Sequence, residues 1–549
     1  MPGPAPFRKR PPMGHLRAGH ARPLLSLQWG NALLRQVGRR PLVVPTVLGA
    51  VYTTVTSVSQ SPVTAYLPLP AGIRLGDIEP LCAAARVEAA AATAHDGRID
   101  IEGKLKVSVI FRNAVREMIP SGDGADNANE DTAAAEKGGA FTSGAAFKYS
   151  IACDAAREGM RAEVTAYVTS CTLSAAGELM LSAVAGLDCA VYDTSPLPML
   201  NGIDGAECEM KHECICTCTE TMIGQSETDF ETETALPAGT EPLFASGECS
   251  VRSVTPGGDT AIIEGQLCLD LLLCSRAGLT AHAVQFPFTI EAELDSRAEG
   301  DAYATVSLKD IYISPADASS GIAAVRARLA VSIYQTEQSE TAICTDAFIP
   351  YHSCQMQTES ASIMQRMRRK TFRYTLSENI PLPDGTGGAK SAICCAAMPY
   401  VTTAEVKNGV LSIEGIITLN CALRTAEPNA LTFASQLPFL CETQYTGADA
   451  DAADASVKCL SCTLMLTGGM LTAECVLELS AVPYTLTGMT IVSAAGEAEP
   501  VKRQRAIIVY FASANETRFD VAKRYSLPVS SIAAGGDALC EGEKLTFLC

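Results

Sequence analysis

The sequence is poor in the residues that do chemistry. Its 549 residues include one tryptophan and six histidines, and only 19% are charged. His15 and His20 fall in a basic N-terminal stretch, and His95, His212, His282 and His352 stand isolated. There is no Gly-rich phosphate loop, no Gly-x-Ser-x-Gly elbow and no His-Glu-x-x-His. The many acids read as strand-exterior and loop carboxylates that solvate the chain. These absences predict a protein that is not an enzyme, with no catalytic residues, no metal site and no cofactor. No run of about 20 uninterrupted apolar residues occurs, which predicts no transmembrane helix. Pro41 to Val58 is apolar but broken by Pro and Thr. Residues 1 to 76 contain no acid at all and carry +9, so the remainder of a chain of net charge −19 carries −28. That excess argues against nucleic acid as a partner for the body of the protein.

What is present in quantity is hydrophobic residue, at 47%, in alternating runs. The tripeptide Ile-Glu-Gly occurs at Ile101-Glu102-Gly103, Ile263-Glu264-Gly265 and Ile413-Glu414-Gly415. Each copy lies in a longer pattern of period two. Ile99, Ile101, Gly103, Leu105, Val107, Val109 and Phe111 share one parity, with Ile110 as the exception on the other. Ile263 to Leu273 and Leu411 to Leu423 repeat the pattern. A period of two over a dozen residues predicts a strand with one buried face. A glycine inside it predicts a bulge or a close backbone approach. Leu-Pro-x-Gly precedes each copy, at Leu69, Leu236 and Leu382, as turn chemistry closing an earlier strand. A second alternating strand follows, beginning at Pro287-Phe288 and Pro438-Phe439, with Ala146-Phe147 in the first copy. The extra length in the first copy, Glu117 to Ala140, reads as a solvated loop insertion.

Three ordered landmarks in three copies predict one fold used three times. The expected organisation is a basic, flexible N-terminal arm over 1–49, then β repeats over 50–205 (with the insertion at 117–140), 206–364 and 365–503. The arm reads either as a segment touching an acidic membrane surface or polymer, or as a flexible tail or a start placed too early. Arg366, Arg368, Arg369 and Lys370 form a basic cluster, read as a solvated turn or strand edge.

The 22 cysteines are expected to be reduced and mostly buried in a cytosolic setting, with disulfides an alternative in an extracellular layer. Cys214, Cys216 and Cys218 alternate along one strand face. They read either as a metal site with His212 or as a small-residue core face, and they lack the paired-knuckle spacing of structural zinc. Cys459 and Cys462 have knuckle spacing without a second pair, and Cys394 and Cys395 point to opposite faces.

Residues 504–549 change character. A strand over Ala506–Phe511, a helix over Thr517–Tyr525, a second helix over Val529–Ala534 and a strand over Lys544–Leu548 give a small βααβ unit. Phe519, Ala522 and Tyr525 are its expected core. This tail resembles a LysM domain through Ile508-Val509-Tyr510, Asp520-Val521-Ala522-Lys523-Arg524-Tyr525, Leu527-Pro528-Val529, Ile532 and Gly542-Glu543-Lys544-Leu545. It departs at Asn515-Glu516-Thr517-Arg518, where LysM domains usually read Gly-Asp-Thr-Leu, and near Gly535-Gly536. Those two loops line the glycan groove in LysM domains.

Tandem β repeats ending in one such domain resemble the SPOCS-domain spore coat morphogenesis proteins of endospore-forming Firmicutes, over roughly residues 60–549. The resemblance implies a mainly β chain of three tandem β-sandwich-like repeats and a small βααβ LysM-like domain. It implies a non-enzymatic scaffold in endospore coat assembly, in the mother-cell cytoplasm at the forespore surface. Its implied partner is a spore coat morphogenetic protein, a SpoIVA-like ATPase. Asn515, Glu516, Thr517, Arg518, Gly535 and Gly536 are the expected partner-binding loop positions. The alternative is a cell-envelope peptidoglycan-binding protein with the β repeats as spacers, which requires export and an intact groove.

Overall fold

The computed structural model describes residues 43–45, 57–113, 138–154, 156–192, 198–203, 206–276, 278–296, 300–315, 321–383, 388–426, 430–447, 450, 452–502, 506–533 and 536–548. It is mainly β, 77% strand, arranged in several small antiparallel sheets with one short C-terminal helix. The strands are β1 Val43–Pro45, β2 Ser57–Tyr66, β3 Ile78–His95, β4 Arg98–Asn113, β5 Gly138–Ala152, β6 Arg161–Ser174, β7 Met180–Tyr192 and β8 Pro198–Leu200. There follow β9 Glu209–Ala235, β10 Glu241–Pro256, β11 Thr260–Ser275, β12 Gly278–Glu293, β13 Asp301–Ile313 and β14 Ile322–Phe348. Then come β15 His352–Arg366, β16 Lys370–Ile380, β17 Ser391–Lys407, β18 Val410–Arg424, β19 Leu431–Gln444, β20 Ala452–Thr467 and β21 Met470–Pro500. The tail is β22 Ile507–Phe511, helix α1 Arg518–Tyr525 and β23 Lys544–Leu548.

One strand order recurs. A meander β3-β4-β5 shares a hydrophobic core with a sheet ordered β2-β7-β6. The meander β10-β11-β12 does so with β9-β14-β13, and β17-β18-β19 with β16-β21-β20. The middle strand of each meander carries the Ile-Glu-Gly tripeptide, and its even-spaced apolar residues are buried as the alternation requires. Each glycine stands directly opposite a phenylalanine: Gly103 with Phe147, Gly265 with Phe288, Gly415 with Phe439. A Cβ on these glycines would come within 2.2, 2.3 and 2.3 Å of the ring. The neighbouring strand is bulged beside the glycine in all three units, at 87–89, 251–253 and 401–403. Both expected roles of the glycine, a close approach and a nearby bulge, are therefore met at one place.

Several expectations need correction. Pro287-Phe288 and Pro438-Phe439 lie in mid-strand, not at a strand start; a proline fits there because β12 and β19 are edge strands with no ladder bond to lose on the outer side. Of the insertion expected at 117–140, residues 138–140 belong to β5 and the rest lies outside the described residues. Within the arm expected over 1–49, Val43–Pro45 pairs with β8, and the other positions lie outside the described residues. The boundary at 364 divides β15, which pairs along the second half of β21 and so belongs with the third unit.

Beyond their cores, β9 and β14 run on together as a ribbon. It packs against the β15–β21 ribbon through Ile215, Ile343, Ile363, Ile491 and Leu200. The three units also close on one another through a shared apolar cluster of Leu81, Cys82, Leu272, Leu279, Ile393 and Ala422. Ile110, the exception to the alternation of β4, packs against this cluster. A second set of contacts repeats by register. Three residues after the glycine, Lys106 donates to the Lys309 carbonyl (3.1 Å) from unit one to unit two, and Thr418 donates to the Thr169 carbonyl (2.7 Å) from unit three to unit one. Between units two and three, Arg369 forks onto Glu220 at 2.6 and 2.8 Å and lies 4.6 Å from the Tyr303 ring centre. The basic cluster expected to be solvated is, at Arg369, a half-buried clamp. The chain thus forms a closed ring of three.

Because the phenylalanine fills the space over the glycine, Gly265→Ala is expected to destabilise the protein by about 1–3 kcal/mol through overpacking. Phe288→Ala is expected to cost about 3–5 kcal/mol. In the Phe288→Ala background, Gly265→Ala should cost distinctly less, a coupling that urea-unfolding midpoints of the two single variants and the double variant measure.

Candidate functional site

The C-terminal module is held by short-range chemistry. Thr517 caps α1: its hydroxyl accepts from the Asp520 backbone N–H, and the Asp520 carboxylate accepts from the Thr517 N–H at 2.9 Å, a reciprocal capping box. Ser526, in the left-handed region at φ 52°, ends the helix. The second helix expected over Val529–Ala534 is a single 3-10 turn, Val529–Ser531. Two β-branched residues, two serines and the following glycines are poor helix formers, and Pro528 provides no capping side chain. Ala522 is buried, with Phe519 and Tyr525 packed around the module's core.

The predicted partner-binding loops lie side by side. Arg518 N–H donates to the Asp537 carbonyl (2.8 Å), Leu539 N–H to the Glu516 carbonyl (3.0 Å), and Thr517 bridges Ala538. Their side chains divide sharply. Glu516 is buried, and its carboxylate accepts from Tyr510 Oη at 2.9 and 3.0 Å and Ser513 N–H at 3.0 Å, and pairs with Arg524 at 2.8 Å. Thr517 is spent on the cap. Arg518 donates to the Val529 carbonyl at 3.1 Å. Asn515, at φ 63°, and Gly536 are exposed, and Gly535 lies outside the described residues.

One face of α1 is already occupied. It rests on the end of the β9–β14 ribbon through Phe519 against Phe348 (ring centres 5.2 Å apart) and Lys523 with Asp346 at 2.5 and 2.7 Å. The adjoining turn adds Val529 N–H to Glu209 at 3.0 Å. The open surface is instead the outer face of the two-stranded sheet. Ile507, Val509 and Phe511 project from β22, and Leu548 lies opposite Ile507 on β23. They are 71, 50, 61 and 71% exposed. Sequence reading missed this face, although the signal was there: Ile508 and Tyr510 point inward, so the alternate positions must point out.

A second concavity lies where the three units meet. A cavity of about 730 Å3 opens between β3, β10 and β17, with β6, β13 and β20 between them. Its polar lining includes Arg86, Lys106, Glu248, Asp270, Lys309 and Lys458. Asp270 and Asn420 occupy the same register position, five residues after the glycine. The Asn420 amide donates to the carbonyls of Ala83 and Cys171 in unit one, both at 2.8 Å. By register, Cys395 and Cys462 stand in unit three where Ala83 and Cys171 stand in unit one. Asp270 thus takes the register position of Asn420 with a group that donates only when protonated. Burial, with the neighbouring Cys475, pushes its pKa up to about 7.

The alternating cysteines are not a core face. Cys214 and Cys216 are exposed with His212, while Ile215 between them is buried. No group of three His, Cys, Asp or Glu side chains among the described residues is placed to hold a metal ion, and no helix among them is long and apolar enough to cross a membrane. No protein-family model, curated protein or solved structure matches the chain.

The raised pKa of Asp270 fixes the sign of a pH effect. The folded state binds the proton more tightly than the unfolded state, so this group's contribution is full below about pH 4 and is lost as pH rises through about 7. Asp270→Asn, which restores the donor that Asn420 provides, is expected to raise the unfolding midpoint at pH 8 and to change it little at pH 5. A lower midpoint at pH 8 would show instead that the carboxylate has a cationic partner.

Proposed function

We propose that this chain is a non-enzymatic scaffold in endospore coat assembly, acting in the mother-cell cytoplasm at the forespore surface. It recruits a SpoIVA-like morphogenetic ATPase through its C-terminal module. In this reading the three six-stranded units are tandem β-sandwich repeats of the SPOCS type. The β22–α1–turn–β23 tail is a LysM-like domain given over to protein recognition. The observation that carries the reading is the unpartnered apolar sheet face of Ile507, Val509, Phe511 and Leu548 at the end of the ribbon. A contiguous exposed apolar patch on an otherwise strongly acidic protein suits a protein contact better than a solvated surface. The exposed loop positions Asn515 and Gly536 belong to the same module. The internal roles of Glu516 and Thr517 support a second point: in this loop the side chains of Glu516 and Thr517 hold the module together, which leaves them unavailable to a glycan.

The test is recruitment. Deleting residues 504–549 is expected to abolish localisation to the forespore, and normal localisation of that truncation would sink the reading. In the full chain, Val509→Arg and Phe511→Arg place charge on exposed positions. Each is expected to weaken co-purification with the ATPase by at least about tenfold, as loss of an interface anchor does, with the unfolding midpoint unchanged. Co-sedimentation of the full chain with insoluble peptidoglycan, and none with the ATPase, would move the protein to the cell envelope.

A further inference from the structure

Three thiols meet at the wall of the central cavity. Cys462 Sγ lies 3.3 Å from Cys475 Sγ on one side and 3.3 Å from Cys395 Sγ on the other. Cys462 and Cys475 are direct cross-strand partners on β20 and β21, which places their Cα atoms about 4.5–5.5 Å apart, within the range a disulfide spans. Cys395 comes from β17, in the other sheet of the unit. Cys395, Cys459 and Cys462 line the cavity, so a small solute reaches them without unfolding. All three members of the cluster are free thiols.

We propose that Cys462 is an oxidisable centre that closes a disulfide with Cys475, and by exchange with Cys395, when a peroxide-class oxidant enters the cavity. The three thiols are not equivalent. Cys459 and Cys462 both hydrogen-bond to Cys475 and hold it below the ordinary thiol range. The hydrogen bonds Cys462 makes to Cys395 and Cys475, with burial, hold its own thiol high. Cys462 is the member of the cluster that both lines the cavity and touches the other two sulfurs, and its proton passes to the departing peroxide oxygen. Cys462 sulfur then attacks the peroxide, the O–O bond breaks, and the products are Cys462 sulfenic acid and one water. Cys475 sulfur attacks the sulfenic sulfur, the S–O bond breaks, and a second water leaves. In sum, two thiols and one hydrogen peroxide give one disulfide and two waters, the thiols losing two electrons and two protons. Attack of Cys395 on the Cys462 sulfur then releases the Cys475 thiolate and moves the bond from within one sheet to between two sheets. The bond tightens the part of unit three against which Asp270 of unit two is packed.

The experiment treats the full folded chain with hydrogen peroxide, blocks remaining thiols in denaturant, and maps peptides by mass spectrometry with and without a reducing thiol. Cys462 is expected in a linked peptide with Cys475 or Cys395, two mass units below the reduced pair and restored by the reductant, with a raised thermal midpoint. Cys462→Ser should abolish both links. Cys395→Ser should leave only Cys462–Cys475, and Cys475→Ser, which removes the bond that exchange needs, should leave neither link. The proposal falls if Cys395, Cys462 and Cys475 are all recovered as blocked thiols while the exposed Cys214, Cys216 and Cys540 are oxidised. It also falls if Cys462 stops at sulfenic or sulfinic acid without a link. Matching circular dichroism of the variants keeps a folding defect from standing in for either result.

Discussion

A phenyl ring set over a glycine on the facing strand is the contact on which each unit depends. The middle strand of a three-stranded meander has to be apolar on the side that meets the second sheet. It also has to let an aromatic ring cross it without forcing the sheets apart. A glycine beneath a phenylalanine satisfies both, since the ring covers backbone that a bare glycine would expose to the core, and the adjacent bulge adds local twist. The use of the same pair at Gly103, Gly265 and Gly415, with a bulge beside it each time, makes the three cores geometrically alike although their other residues differ.

Likeness of the cores lets the units close into a ring. The second face of each middle strand is only partly turned to water: Glu102, Glu264 and Glu414 are exposed, but further along Ile110, Leu272 and Ala422 join the shared apolar cluster, and Lys106 and Thr418 reach the next unit's carbonyls. Arg373 crosses from unit three to Gln266 and Ser250 of unit two, and Tyr400 stacks on Tyr167 of unit one at 5.2 Å. A ring of this kind leaves space on its axis, and the residues around that space are free to differ because each belongs to a different stretch of one chain. Asp270 beside the thiols of unit three, and Asn420 satisfied between two carbonyls, are two outcomes at a single register position.

Much of the fold was legible in the sequence because strand alternation is a local property. Ile99 to Phe111 declares its inner face without help from any other residue, and so do the two later copies. What could not be read depends on neighbours distant in sequence. Cys214 alternates as a core residue would, yet the ribbon buries Ile215 instead, because the strand there has left the core of unit two and packs against β15 and β21. Arg369 reads as a solvated charge until Glu220, 149 residues away, is placed beside it. Ile110 breaks its strand's alternation for a reason supplied by Leu81 and the other units. Of the loop positions proposed for partner contact, the sequence located the two loops that come together, but it could not tell that Glu516 points inward. The exposed sheet face was overlooked because apolar residues in a short strand suggest core on both sides, whereas the core takes only Ile508 and Tyr510 and leaves Ile507, Val509 and Phe511 outside.

The ring is made by one polypeptide, and this has a consequence for anything built from it. A homotrimer with the same geometry would display three equal tips and bind three equal neighbours. Here, among the described residues, the second and third units extend into ribbons while the first does not, and one terminal module sits at their end. The body repeats one unit three times while the terminal module is single, so the molecule has a front and a back. If the module is the point of recruitment proposed above, molecules laid down through it would share one orientation, and a layer of them would have distinct inner and outer surfaces without any further component to impose polarity.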